Sequence, residues 1–236
     1  LTFTNANWDT PQTVTVTGAD DAGVVDGDQI STITITVDDA NSDDDFDSVD
    51  DQTVSATTTD DDVAGFTVAE TDGSTAVAES GTTDTFTVVL TAQPALDVVL
   101  TITSSDTGEA SVAPSSLIFT PANWDTPQTV TVTGEDESVV DGDQTSNITV
   151  AVFDTASDDS FDVLDDQTVD VTTTDDDVAG FTVAETDGST SVDESGTTDT
   201  FTVVLDAQPT SDVVLTITSS DTGEATVNSP LTFTNA

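Results

Sequence analysis

The chain has 236 residues, of which 48 are Asp or Glu and none is Lys, Arg or His, giving a formal charge of -48. No carboxylate can find a side-chain cation, and nucleic acids and anionic membrane surfaces, which need basic patches, are excluded as partners. Cys and His are absent, which removes disulfides, soft-metal sites and every catalytic triad built on them.

Hydrophobic residues make up 34% and fall in regular alternation, with 10 Phe and 2 Trp as anchors, which favours a folded chain over a disordered one. No signal peptide opens the chain, and no apolar run approaches the roughly 20 residues of a membrane span. Direct membrane insertion of this segment is therefore not expected. With Met also absent, the chain is expected to be an interior piece of a larger protein.

In chain order, Leu1–Ala6 reads L-T-F-T-N-A and runs into A-N-W-D-T-P-Q-T-V-T-V-T-G at 6–18. An acidic stretch with Asp20, Asp21 and Asp26 follows. The loop Asp38–Asp51 has EF-hand-like Asp spacing but lacks the Gly and the terminal Glu of that loop, and reads as solvated. The segment closes on Asp60, Asp61 and Asp62.

The next stretch predicts seven strands, at Gly65–Ala69, Thr85–Thr91, Val98–Thr103, Leu117–Phe119, Thr129–Thr133, Asn147–Phe153 and Gln167–Thr173. Thr and Val dominate them, and turn residues such as Asp72-Gly73, Ser80-Gly81 and Asp141-Gly142 separate them. No stretch keeps a helical period. Seven short strands in about 115 residues predict an all-β fold of tandem Greek-key, immunoglobulin-like β-sandwiches. Phe66, Phe86, Phe119, Phe153 and Phe161 are the expected core anchors, and Trp124 is expected to cap one end.

The same text then starts again. D-V-A-G-F-T-V-A-E-T-D-G-S-T occupies 62–75 and 177–190, and I-T-S-S-D-T-G-E-A occupies 102–110 and 217–225. Leu231–Ala236 repeats Leu1–Ala6. The frame that follows puts a complete repeat at 63–177, the back half of another at 1–62 and the front half of a third at 178–236. Neighbouring repeats are the expected partners, either along one covalent chain or as copies of the chain joined end to end.

Three acidic stations recur. Glu79 is matched by Glu194. Glu135, Asp136, Glu137 and Asp141 are matched by Asp20, Asp21 and Asp26. Asp175, Asp176 and Asp177 are matched by Asp60, Asp61 and Asp62. Ca²⁺ takes six to eight oxygen ligands, and carboxylates from three loops at one end of a sandwich can supply such a set. Glu137 is as readily a solvated residue as a ligand. Asp-Thr-Gly at 106–108 and 221–223 copies an aspartic protease tripeptide, but Ser-Ser precedes it and it recurs at the repeat period, as a turn does.

The order F-T-V-A-E, then E-S-G, then a strand ending in acids, then a strand closing in T-T-T-D-D-D-V-A-G resembles the Calx-β domain over the whole chain. The resemblance implies calcium at one end of the sandwich, held by Glu79, Glu135, Asp136, Asp141 and Asp175–Asp177, with Asp20, Asp21, Asp26, Asp60–Asp62 and Glu194 as counterparts. It also implies a further acid in the loop before Leu117, where residues 111–116 offer none. The Asp runs join one repeat to the next, so calcium there would stiffen the joint. The expectation is a non-enzymatic, calcium-stabilised stalk or filament of the cell surface or extracellular space, with a carbohydrate- or protein-binding module as the alternative.

Overall fold

The computed structural model describes residues 1–21 and 23–235. Its centre is a sandwich of nine strands: β1 (Phe66–Glu70), β2 (Thr75–Ala78), β3 (Thr83–Leu90), β4 (Val98–Ser104), β5 (Ala110–Ala113), β6 (Ser116–Phe119), β7 (Gln128–Gly134), β8 (Gln144–Val152) and β9 (Gln167–Thr174). One sheet runs β1-β3-β7-β5 and the other β6-β4-β8-β9-β2. From β1 to β8 consecutive strands thus change sheet, while β8 and β9 pair within one sheet. All pairings are antiparallel except β2 on β9, which is parallel.

Alternation explains which side chains meet. Val98, Leu100 and Ile102 of β4, Val130 and Val132 of β7, and Ile148 and Val150 of β8 all point inward and are buried. Register brings Val150 opposite Ile102, and Val130 opposite Phe86. Phe86, Phe119 and Phe161 are fully buried and fill the space between the sheets. At about 25 cal/mol per Å² of apolar area removed from water, each ring is among the largest single contributions to the driving force. Trp124 packs, partly buried, against this core, and its carbonyl accepts the Leu90 N–H at 3.2 Å.

All seven predicted strands are present, with two additions, β2 and β5. One anchor is corrected: Phe153 is exposed. Even-numbered residues of β8 face inward, so Phe153 falls on the outer face, where its N–H donates to Val99 O at 2.8 Å and a 3₁₀ turn (Asp154–Ala156) begins.

Gly134 ends β7 where β2 crosses it. A Cβ there would stand 2.1 Å from the backbone O of Ala78, so the backbone itself would have to move. Gly134→Ala is expected to cost about 3 kcal/mol, the upper range for overpacking a tight interior. Urea unfolding of the chain checks this, and an unchanged midpoint would contradict it.

On either side the strands are fewer. Gln29–Ile35 pairs with Gln52–Thr58, Phe181–Glu185 with Phe201–Leu205, and Val213–Leu215 with Leu231–Phe233. Short parallel bridges tie these flanks to the sandwich and to each other's pattern. Val24–Val25 pairs with Gln93–Pro94, and Val139–Val140 pairs with Gln208–Pro209. Gln93 N donates to Gly23 O at 2.8 Å, and Gln208 N donates to Ser138 O at 2.6 Å. The joint is thus built twice in the same way, and Val25 buries itself in the core of the following unit. Among the described residues, no helix is long and apolar enough to cross a membrane.

Candidate metal centre

The chain leaves β2 through a tight turn, in which Gly81 N donates to Ala78 O at 3.0 Å and Ala78 N donates to the Thr82 hydroxyl at 2.7 Å. Gly81 takes φ +85°, a left-handed conformation that side chains rarely adopt. This turn holds Glu79, whose N–H donates to Thr174 O at 3.1 Å, at the end of the sandwich. Three other segments converge there: Glu109 just before β5, Glu137 and Asp141 in the β7–β8 loop, and Asp175 and Asp177 just after β9.

Carboxylate oxygens of Glu79, Glu109, Glu137 and Asp141 all lie within 4.8 Å of one another. Those of Glu79, Asp175 and Asp177 form a second such group, so Glu79 belongs to both. Glu79 is 0% exposed and Glu109 9%. Both Glu79 oxygens are buried without a hydrogen-bond partner, as are Oε2 of Glu109, Oε1 of Glu137 and Oδ2 of Asp177. Asp175 is held in place from both sides: Gly142 N donates to its Oδ2 at 2.7 Å and Asp177 N to its Oδ1 at 2.8 Å.

A buried carboxylate without a donor is costly, because folding strips its water and returns nothing. Burial, followed by the charges of Asp175 and Glu109, pushes Glu79 up to about 7; the nearby Asp176 N–H offsets little and makes no full hydrogen bond. Burial also raises Glu109, with Asp141 and Glu137 adding to it, and raises Glu137 and Asp177 beside their acidic neighbours. A folded-state value near 7 against 4.5 for an ordinary Glu means that the folded metal-free chain binds more protons between those pH values. Stability is then fully present below about pH 4.5 and is lost as pH rises through about 7. In chelator, the melting temperature is expected to be higher at pH 5 than at pH 8, and a rise with pH would contradict this.

The sequence-predicted residues divide. Glu79, Asp141, Asp175 and Asp177 converge. Glu135 does not: its carboxylate accepts a hydrogen bond from the Ser111 hydroxyl, on the outer side of β5. Asp136 and Asp176 are exposed and outside both groups. Glu109 was missed. The Asp106 side chain accepts the Gly108 N–H at 2.9 Å, so Asp-Thr-Gly is a turn, and this turn delivers Glu109 to the cluster. Glu137, an even reading between ligand and solvated residue, lies inside it.

In the 1–62 flank, Asp20, Asp21 and Asp62 form a smaller, more exposed group. Asp60 lines the same hollow as Asp20 and Asp21 but is outside the group, and it accepts from Gly27 N at 2.7 Å, Asp26 N at 3.1 Å and Asp62 N at 2.9 Å. Those bonds, from the Asp62 N–H first, lower its pKa. Asp26 and Asp61 line a hollow with Asp20 and Asp21 but belong to no cluster. Glu194 is exposed and belongs to none among the described residues.

No known family profile matches the chain, and no curated protein does. Solved structures match in part. The MSP-domain protein SSP-19 of Caenorhabditis elegans is 18% identical over 43% of this chain and 92% of its own, with a TM-score of 0.29. Domains 4 and 5 of the S-layer protein SbsC are 21% identical over 52% and 63%, with a TM-score of 0.31. A chaperone–tip adhesin complex of CFA/I fimbriae is 8% identical over 72% and 84%, with a TM-score of 0.33. None of these likenesses bears on function, and the fold stands on the strand pairings themselves.

Proposed function

We propose that the chain is a calcium-binding segment of a tandem-repeat stalk or filament of the cell surface or extracellular space, built from Calx-β-type sandwiches. The observation that carries this reading is Glu79: a fully buried carboxylate, without a hydrogen-bond partner, in a protein that has no side-chain cation to neutralise it. An all-oxygen set of Glu79, Glu109, Glu137, Asp141, Asp175 and Asp177 suits a hard divalent cation. Ca²⁺ fits better than Mg²⁺, which keeps most of its water and takes few protein ligands. Glu79, common to both groups, would bridge two neighbouring ions.

The ligands belong to the loops that make the joint. Asp177 lies three residues before Gly180, and Glu137 lies beside Ser138, whose carbonyl takes the Gln208 N–H. An ion held there fixes the β7–β8 loop, and through it the two-residue bridge to the next unit. Calcium would therefore set both the stability of each sandwich and the stiffness of the array. Copies of one unit serve a spacer better than a ligand-binding surface, which needs a single good site.

Small-angle X-ray scattering with and without calcium tests the mechanical part. In millimolar calcium the distance distribution is expected to be that of a straight rod, and in chelator it should broaden and shorten. The same distribution in both conditions would sink the stiffening role.

A further inference from the structure

We infer that residues 178–236 of one copy of this chain and residues 1–62 of a second copy fold together into one sandwich, joining copies head to tail. This deepens the array reading by naming the partner of the open units, and it does not require the metal. The central sandwich shows the product. Its front half, up to β6, is similar in sequence to 178–236, and its back half, from β6 on, is similar to 1–62.

Side chains that are core in the centre are bare in the flanks. Phe86 is 0% exposed and its counterpart Phe201 37%; Phe161 is 0% exposed and its counterpart Phe46 59%. Val14 and Val16, counterparts of the buried Val130 and Val132, are exposed as well. Open strand edges match them. In the centre, β3 pairs with β7 and β4 with β8, and these two pairings cross between front and back halves. Among the described residues, Phe201–Leu205 has only Phe181–Glu185 beside it, and Gln29–Ile35 only Gln52–Thr58. Each half thus offers an unpaired hydrogen-bonding edge next to an apolar face, and both are filled by the other half.

Gly18 records the open slot. A Cβ at Gly134 would strike Ala78 O at 2.1 Å, whereas at Gly18, its counterpart, the nearest atom is Thr58 Cγ2 at 3.8 Å. The segment around Asp193, counterpart of Ala78, belongs in that space. Splitting a sandwich between its halves exposes a surface of the size of obligate interfaces, roughly 2,000 Å² or more. Leu231–Phe233 already occupies the edge of its own half, so Leu1–Ala6 of the second copy is left over. Docking would also add Glu194 and Glu224 to the Asp20, Asp21 and Asp62 group. In a longer chain the same contacts would join consecutive repeats in cis.

The chain has no Cys, so introduced thiols report cleanly. Thr149 and Thr103 stand opposite each other across β8 and β4, and their counterparts are Thr34 and Thr218. A chain carrying both Thr34→Cys and Thr218→Cys is expected to give, on mild oxidation, a non-reducing ladder at multiples of its 24.2 kDa mass. Light scattering should show oligomers of the unmodified chain. Gly18→Val should abolish both while leaving the unfolding midpoint of the central sandwich in place. A monomer throughout, or a cross-link confined to the monomer band, would overturn the inference. Oligomers in chelator and calcium alike support docking and leave the metal to be judged by melting. A calcium-dependent rise in melting temperature without oligomers keeps the metal and removes the docking.

Discussion

Millimolar calcium is expected to raise the melting temperature of this chain by about 10 °C over chelator at pH 7.5. A ligand at about 100 times its dissociation constant stabilises the folded state by about 2.7 kcal/mol, because only the folded state presents the site. For a unit of about 110 residues each kcal/mol moves the midpoint by roughly 4 °C. The unfolded chain, with 48 acids, also attracts calcium, but loosely and without the enclosure that Glu79 provides. Magnesium at the same concentration should give a much smaller shift, since the pocket replaces water with carboxylates on every side. Differential scanning calorimetry decides this, and equal midpoints in calcium and chelator would remove the cation from the account.

Glu79→Gln is expected to act with opposite signs in the two conditions. Without metal at pH 8, the substitution removes a buried negative charge that faces Asp175 and Glu109, so the melting temperature should rise. It should also flatten the fall in stability between pH 5 and pH 8. With calcium, the same substitution removes the carboxylate common to both ligand groups. Losing a supporting contact outside the ligand shell already costs 10–100-fold in metal affinity, so losing this ligand should cost about 100-fold or more. The calcium-induced shift should then largely vanish. A variant that is merely misfolded would be less stable in both conditions, which separates damage from loss of the site.

Sequence periodicity made most of the fold legible. Thr and Val alternate in β7, and buried residues recur at every second position of β4, β8 and β9, so the period of two says which residues face inward. The two strands not foreseen, β2 and β5, read T-A-V-A and A-S-V-A. They are short and rich in Ala, a weak strand former, and they exist because neighbouring strands offer them edges. Phe153 was misplaced for a related reason: its aromatic character suggested a core position that the β8 alternation forbids.

The acidic groups were legible as three stations but not residue by residue. Adjacent residues in an extended segment point to opposite sides, which separates Asp136 from Glu137 in the run 135–137, and the Glu135 carboxylate is taken up by the Ser111 hydroxyl. Only Glu137 of that run turns inward. Glu109 escaped because it follows a turn motif and precedes the weak strand β5, whereas the further acid was sought at residues 111–116. Its one signal was positional: Glu109 and Glu224 occupy the same place in each copy of I-T-S-S-D-T-G-E-A. Asp60 accepts from the N–H groups of Gly27, Asp26 and Asp62 much as its counterpart Asp175 accepts from Gly142 and Asp177, yet only Asp175 lies in an acidic group.

An anomalous difference map from crystals of the chain grown in calcium tests the account most directly. The predicted result is strong density between Glu79, Glu109, Glu137 and Asp141, with a second peak between Glu79, Asp175 and Asp177. A map without a peak beside Glu79, in crystals where that side chain is ordered and calcium is at millimolar concentration, would contradict it.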